Sequence, residues 1–167
     1  MIKQTIATVS VFLIAGCNPS SFSASTTPED KLTVTMELTA MFGIHSDWHR
    51  SIAISHNGEL IEHDLIGDTG WWRGSHLYRH VSGTYVIHEG QMGCFGFKTS
   101  PLTFQITERI SCEKQPELQN QAHNASRFYR DLTYLGVFTE YPPESAGDGF
   151  QFVPADVAPE TELPDIL

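Results

Sequence analysis

The chain is poor in cationic side chains and has no long apolar segment. It contains 10 Lys and Arg residues against 20 Asp and Glu residues, so its formal net charge is −10 at pH 7. Because the nucleic-acid backbone repels a surface of this sign, we expect no nucleic-acid partner. The apolar stretch from Ile6 to Ile14 is less than half the roughly 20 residues that a spanning helix needs. It therefore does not predict a transmembrane helix.

Catalytic motifs are also scarce. The sequence has no nucleophile-elbow serine and no phosphate-binding loop. The triplet Asp68-Thr69-Gly70 has the letters of an aspartic protease site, but that chemistry needs two aspartates that share a proton. Gly67 before the triplet and Trp71-Trp72 after it are a poor context for such a site. The two glycines that flank Asp68-Thr69 are better explained by a tight turn. The motifs leave an enzymatic role open and favour a non-catalytic one.

Cysteine is rare, and the first of the three has a distinctive setting. The apolar stretch ends in Ile14-Ala15-Gly16-Cys17, which resembles the lipobox of bacterial lipoprotein precursors. The resemblance implies that residues 1–16 are a cleaved signal peptide and that Cys17 carries diacylglycerol and an N-acyl chain, which anchor the protein to a bilayer. Asn18 replaces the aspartate typical of inner-membrane retention, which favours the outer membrane facing the periplasm. The alternative is an ordinary secretory signal with an incidental cysteine.

The other two cysteines, Cys94 and Cys112, remain as an even pair in an exported chain. An oxidising compartment favours a disulfide between them. In the chain-entropy model such a bridge contributes about 3 kcal/mol to stability. The alternative is two separate buried thiols.

The length and composition predict one folded domain between two polar ends. Residues 17–30 are rich in Ser, Thr and Pro and predict a flexible tether behind the lipidated cysteine. Residues 31–153 are expected to form the globular domain. The acidic, Pro-rich residues 154–167 predict an extended or disordered tail, either a solvated end or an interaction segment.

Period-two alternation predicts that the domain is mainly β. Apolar residues from Leu32 to Phe42 alternate with polar ones, which places one face of a strand toward a core. Asn57-Gly58 is typical of a two-residue hairpin loop. That loop predicts the pairs Ser55 with Leu60, Ile54 with Ile61, Ala53 with Glu62, and Ile52 with His63. Further strands are predicted over 76–81, 84–89, 92–97 and 102–110.

One region departs from the β pattern. Apolar residues recur at helical spacing after Pro116, and Gly136 suits a helix end. We therefore predict a peripheral helix near residues 116–135, with a strand over 127–138 as the alternative. The expected fold class is mainly β (α+β), an antiparallel sheet or sandwich with this one helix.

Histidine spacing raises the hypothesis of a metal site. His45 and His49, like His76 and His80, are four residues apart, and on a helix each pair would reach one zinc ion. In a strand, residues four apart lie roughly 13 Å from each other, which is too far. The alternative function is a metal-assisted hydrolase with these four histidines as ligands. Because their spacing in strands does not favour a shared ion, we expect no cofactor. His63 is expected on the apolar face as a core histidine.

Tryptophans in turns suggest a binding surface. The candidate consists of Trp71, Trp72 and Arg73 in a glycine-bounded turn, with Trp48 from another predicted loop, because exposed Trp beside Arg is typical of binding hot spots. The alternative is that Trp71 and Trp72 cap the core. The sequence thus favours a membrane-anchored, non-catalytic binding or accessory module for an envelope protein or polymer. A purely structural envelope lipoprotein is a further alternative.

Overall fold

The computed structural model describes residues 21–41, 47–67, 72–105, 112, 114, 125–140 and 149–164. In these ranges the chain forms one short 3-10 turn, Gly90–Met92, and ten β-strands. The strands are β1 Ser21–Glu29, β2 Leu32–Ala40, β3 Trp48–His56, β4 Glu59–Asp64, β5 Ser75–His80, β6 Tyr85–His88, β7 Cys94–Thr99, β8 Leu102–Gln105, β9 Leu132–Glu140 and β10 Phe150–Pro154. Among the described residues, no helix has the length and apolar character that membrane crossing requires.

The strands form two antiparallel sheets that pack as a sandwich. The four-stranded sheet has the order β1-β2-β3-β4, and the six-stranded sheet has the order β10-β9-β5-β6-β7-β8. Strand β1 contacts β10 and β4 contacts β8, so the two sheets meet along both sides. The mainly β, antiparallel class predicted from the sequence is confirmed.

The inner faces of the two sheets share an apolar core. Val34, Met36 and Ile54 from the four-stranded sheet pack with Leu77 and Phe138 from the six-stranded sheet. In β2 the buried positions alternate with more exposed ones from Leu32 to Ala40, as the period-two pattern predicts. Phe42, the last member of that pattern, lies outside the described residues.

The hairpin between β3 and β4 confirms the predicted register. Asn57 and Gly58 both have positive φ, 52° and 86°, as a type I′ loop requires. The structure contains all four predicted pairs: Ser55 with Leu60, Ile54 with Ile61, Ala53 with Glu62, and Ile52 with His63.

The predicted tether is shorter than its composition suggests, because residues 21–29 form strand β1. Ala24 is buried opposite Met36 of β2, and Phe22 contacts the Trp48 ring edge-on at 5.6 Å. Ser21, Ser23 and Ser25, which alternate with these residues, are exposed, so polar composition conceals the alternation. Pro28 is tolerated because β1 is an edge strand. Residues 17–20 lie outside the described residues.

The predicted helix does not extend to residue 135. Leu132 to Leu135 belong to β9, close to the alternative strand interpretation, and residues 115–124 lie outside the described part of the chain. Gly136 is a strand residue with φ of 147°. A side chain there would overlap the Val153 carbonyl and the Phe152 ring of β10. This glycine therefore permits close strand packing and does not end a helix.

The acidic C-terminal segment is extended, but it is docked onto the domain. We call residues 155–164 the C-terminal strap. The Ser126 hydroxyl and the Arg127 N–H donate to the two carboxylate oxygens of Glu160, at 2.6 and 2.7 Å. Leu163 is buried, and its N–H donates to the Tyr129 hydroxyl at 3.3 Å. The strap thus covers the outer face of the six-stranded sheet, which corrects the expectation of a solvated end.

Candidate functional site

Trp48 is not part of an exposed surface. It is the first residue of β3, where alternation turns residues 48, 50, 52 and 54 inward. The side chain is 8% exposed and packs with Leu38 and Ala40. The predicted loop position was wrong because β3 begins earlier than its sequence suggests.

Trp72 is half-buried and held in place within the sandwich. Its indole N–H donates to the Ser75 hydroxyl at 3.0 Å. The Arg50 guanidinium carbon lies 5.6 Å from the centre of the ring. Arg73 is exposed, whereas Trp71 lies outside the described residues. The structure therefore favours the capping role for Trp72, and the predicted aromatic platform is not assembled from the residues described.

Beneath Trp72 lies a buried ion pair that the sequence analysis missed. The guanidinium of Arg50 in β3 binds the Glu89 carboxylate, which follows β6, and both side chains are fully buried. The Ser75 hydroxyl also donates to Glu89, at 2.6 Å, and the Ile66 carbonyl accepts from Arg50. This network joins the two sheets. The one signal in the sequence was that Arg50 falls in the same alternating series as Ile52 and Ile54, whose side chains face the core.

His76 and His88 form a second buried polar cluster, under the C-terminal strap. They are paired across β5 and β6, and both are 2% exposed. The ring of His76 packs on Tyr134 at 5.8 Å, and that of His88 packs on Tyr129 at 4.6 Å. The Gly90 N–H donates to Nδ1 of His88 at 3.0 Å, which fixes the orientation of that ring.

Burial keeps the groups of this cluster uncharged at neutral pH. Desolvation, aided by the neighbouring His88, lowers the pKa of His76 to about 3. Desolvation, aided by Lys114, lowers the pKa of His88 to about 4. Burial also raises the pKa of Tyr129 to about 12. The side chains of this cluster therefore pack beneath the strap in their uncharged forms.

The four histidines of the metal hypothesis are not brought together in the described structure. His76 is buried on the outer side of the six-stranded sheet, whereas His49 is exposed on the other sheet. His80 is half-buried, and its Nδ1 accepts from the Ser82 N–H at 3.1 Å. His45 lies outside the described residues. Within the described ranges, no group of three or more His, Cys, Asp or Glu residues could hold a metal ion.

Two other sequence predictions concern core contacts. Cys94 and Cys112 form the predicted disulfide, with Cα atoms 6.4 Å apart, beside the cluster under the strap. His63 is half-buried and its ring lies 4.6 Å from that of Phe104, so it packs between the sheets. Cys17, the predicted lipidation site, lies outside the described residues.

The outer face of the four-stranded sheet has a different character, with mostly polar side chains aligned in rows across the strands. Most are Ser or Thr, three are carboxylates, and the others are His49, Ala53 and Leu60, so none is Lys or Arg. We call this surface the hydroxyl-acid face. Register places its rows as Ser21, Thr39 and His49; Ser23, Glu37, Ser51 and Asp64; Ser25, Thr35, Ala53 and Glu62; and Thr33, Ser55 and Leu60.

A groove of about 420 Å³ crosses this face. Ser51 and Ala53 provide small side chains on β3, and exposed carboxylates stand on both sides, with Glu37 on β2 and Glu62 and Asp64 on β4. Ile52 and His63 also border the groove, although their side chains face the interior of the sandwich. The volume lies in the range of binding pockets, but the lining is far more polar than that of a typical small-molecule site.

The two outer faces of the sandwich thus differ in how far other segments of the chain cover them. The turn region around Tyr129 and the strap cover the apolar, aromatic outer face of the six-stranded sheet. The hydroxyl-acid face keeps its Ser, Thr and acidic side chains exposed or half-exposed, and no described segment packs over it. An open polar face with a groove is the arrangement expected of a surface that meets another molecule.

Comparison of this chain with protein-family models, with curated proteins and with solved structures found no match. The geometry and charge of the hydroxyl-acid face are therefore what bears on function.

Proposed function

We propose that this chain is a membrane-anchored envelope lipoprotein that binds another envelope component, a protein or a polymer, through its hydroxyl-acid face. The observation that supports this is the open groove of about 420 Å³ between Glu37 on one side and Glu62 and Asp64 on the other. Three exposed carboxylates around small side chains form a recognition surface. The role is that of a binding or accessory module.

The position of β1 supports a partner at the membrane surface. The strand begins at Ser21, four residues after the predicted lipidation site, and four residues span at most about 14 Å. Ser21 also begins the first row of the hydroxyl-acid face. With Cys17 acylated, the face lies within a few tens of ångströms of the bilayer. Replacing Cys17 with Ser is expected to abolish lipid labelling, and unchanged labelling would contradict the anchor.

Filling the groove tests the binding role. The double variant Ser51→Gln/Ala53→Gln places two neutral, bulky side chains between the carboxylates. Its control, Val81→Gln/Thr103→Gln, changes two exposed positions outside the hydroxyl-acid face. In crosslinked envelopes, wild type and the control are expected to capture the same component, and the groove-filled variant is expected to lose it. Equal capture by all three proteins, with equal melting temperatures, would contradict the proposal.

A further inference from the structure

The charges of the hydroxyl-acid face indicate the chemistry of its partner, an inference that rests on the proposed function. We propose that this face binds a protein segment rich in Lys and Arg. The carboxylates of Glu37, Glu62 and Asp64 would pair with several separate cations, while the hydroxyl rows accept hydrogen bonds from ammonium, guanidinium and amide groups.

The spacing of the three carboxylates fits several cations better than one. Glu37 and Asp64 share a row, separated by Ser51, so their backbones lie about 10 Å apart across three strands. Glu62 is two residues from Asp64, about 7 Å along β4. A single metal ion needs oxygens at about 2.0–2.6 Å, and no metal-holding group exists among the described residues. Lysine and arginine side chains along a polypeptide provide separated cations.

Three carboxylates elsewhere in the described structure have a cation of the chain itself as partner: Glu89 pairs with Arg50, Glu29 with Arg79, and Glu162 with Lys114. Within the described part of the chain, no such pair involves Glu37, Glu62 or Asp64, and their neighbours across the sheet are Ser and Ala. Their charge is therefore available to a partner.

The form of the surface favours a polypeptide over a sugar polymer. Sugar rings typically stack on exposed aromatic side chains, and the four rows contain none apart from His49 at one end. Instead, the small side chains of Ser51 and Ala53 leave room for the long side chains of a partner. The net charge of −10 would also raise the rate of encounter with a cationic partner.

Peptide binding tests this assignment directly. The full chain, purified in an uncharged detergent, is titrated into a fluorescently labelled oligolysine peptide, with an oligoglutamate peptide of the same length as the control for sign. The oligolysine peptide is expected to bind and the oligoglutamate peptide to fail. Raising the salt concentration from about 0.1 M to about 1 M, which shortens the Debye length from about 10 Å to about 3 Å, is expected to weaken binding strongly. Absence of oligolysine binding would overturn the inference.

Two matched variants distinguish binding at the hydroxyl-acid face from attraction of the peptide to the net charge of the whole protein. Glu37→Gln/Glu62→Gln/Asp64→Asn removes the three charges without changing side-chain size. Asp30→Asn/Asp131→Asn/Asp156→Asn removes three exposed carboxylates elsewhere, with the same change in net charge. The first is expected to weaken binding about tenfold, since each exposed ion pair contributes up to a few-fold, and the second less than about twofold. Equal weakening by both triple variants would overturn the assignment to this face.

The envelope capture experiment distinguishes failure of this inference from failure of the proposed function. If the groove-filled variant loses its partner but the neutralised face variant retains it, the face binds a partner without using charge, and only the cationic assignment falls. If neither variant changes capture, both proposals fall. Equal affinity for a cationic amino-sugar oligomer and for oligolysine would overturn the choice of a polypeptide.

Discussion

Arg50 and Glu89 show how much a single inward-facing position contributes to this fold. Both side chains are fully buried, and the pair joins β3 of one sheet to the end of β6 in the other. A buried charge is tolerated only with a close partner and further hydrogen bonds, which Ser75 and the Ile66 carbonyl provide.

Removing one member of this pair is expected to cost more than removing both. Arg50→Met leaves the Glu89 carboxylate buried without its cation and should lower the free energy of unfolding by about 3–5 kcal/mol. The double variant Arg50→Met/Glu89→Leu should recover part of that loss. Urea unfolding of both single variants and the double variant measures the coupling. Additive losses would show that the two side chains do not act as a pair.

His76 and His88 make stability depend on pH. Burial lowers the pKa of His76 to about 3 and that of His88 to about 4, below the value of about 6.5 in an unfolded chain. The unfolded state therefore binds more protons in the range between these values. The contribution of each histidine is complete above about pH 6.5 and falls by about 1.4 kcal/mol per pH unit as the pH decreases.

Replacing one histidine tests this dependence. His76→Phe is expected to flatten the decline in unfolding free energy between about pH 7 and pH 5, because one proton fewer is taken up on unfolding. Thr103→Gln, at an exposed position that carries no titratable group, is the control and should keep the wild-type slope. If the slope of His76→Phe equals that of wild type, the buried neutral state of His76 is wrong.

At the scale of the structural elements, the C-terminal strap is attached by specific polar contacts. Glu160 accepts hydrogen bonds from Ser126 and from the Arg127 backbone, and hydrogen bonds to a charged group contribute about 1.5–3 kcal/mol each. Glu160→Ala is therefore expected to release the strap and speed amide hydrogen exchange at Leu163.

Asp156→Ala provides the control for the strap, because that side chain is an exposed acid of the same segment. It should leave exchange at Leu163 unchanged while removing the same charge. If Glu160→Ala also left the exchange rate at Leu163 unchanged, the contacts of Leu163 would hold the strap without Glu160.

The strands also show why some of this fold is predictable from sequence and some is not. The β3–β4 register follows from Asn57-Gly58, because a two-residue loop fixes its neighbours locally. Strand β1 and the strap depend on distant partners, such as Met36 opposite Ala24 and Tyr129 beside Leu163. An interpretation from composition alone therefore predicts both segments, β1 and the strap, as polar ends. Judged from neighbouring residues alone, the apolar spacing before Gly136 fits a helix as well as it fits a strand. The close packing of Gly136 against β10 is a distant contact that this spacing does not indicate.

The candidate site was less predictable still. Trp48 and Trp72 stand out in the sequence, yet both contribute to the core or its edge. The residues of the hydroxyl-acid face are ordinary Ser, Thr and Glu positions that gain meaning only when four strands align them in rows. Sequence predicted which side of β2 and β3 faces solvent, but not which outer face the chain itself covers.

At the scale of the whole molecule, the two outer surfaces of the sandwich differ in composition and in how far the chain covers them. One is aromatic and closed by the chain's own C-terminal strap. The other is acidic, rich in hydroxyl groups and open, and it starts next to the predicted lipid attachment. This asymmetry leads us to place the partner on the four-stranded sheet.

Site-specific photo-crosslinking in intact cells tests that placement most directly. A photoreactive amino acid replaces Thr35, in the middle of the hydroxyl-acid face, or Thr103, an exposed residue of β8, and the adducts are identified after irradiation. We expect one dominant adduct from position 35, absent from position 103 and reduced when Glu37, Glu62 and Asp64 are neutralised. No adduct from position 35, or the same adduct from both positions, would show that the partner does not bind the hydroxyl-acid face.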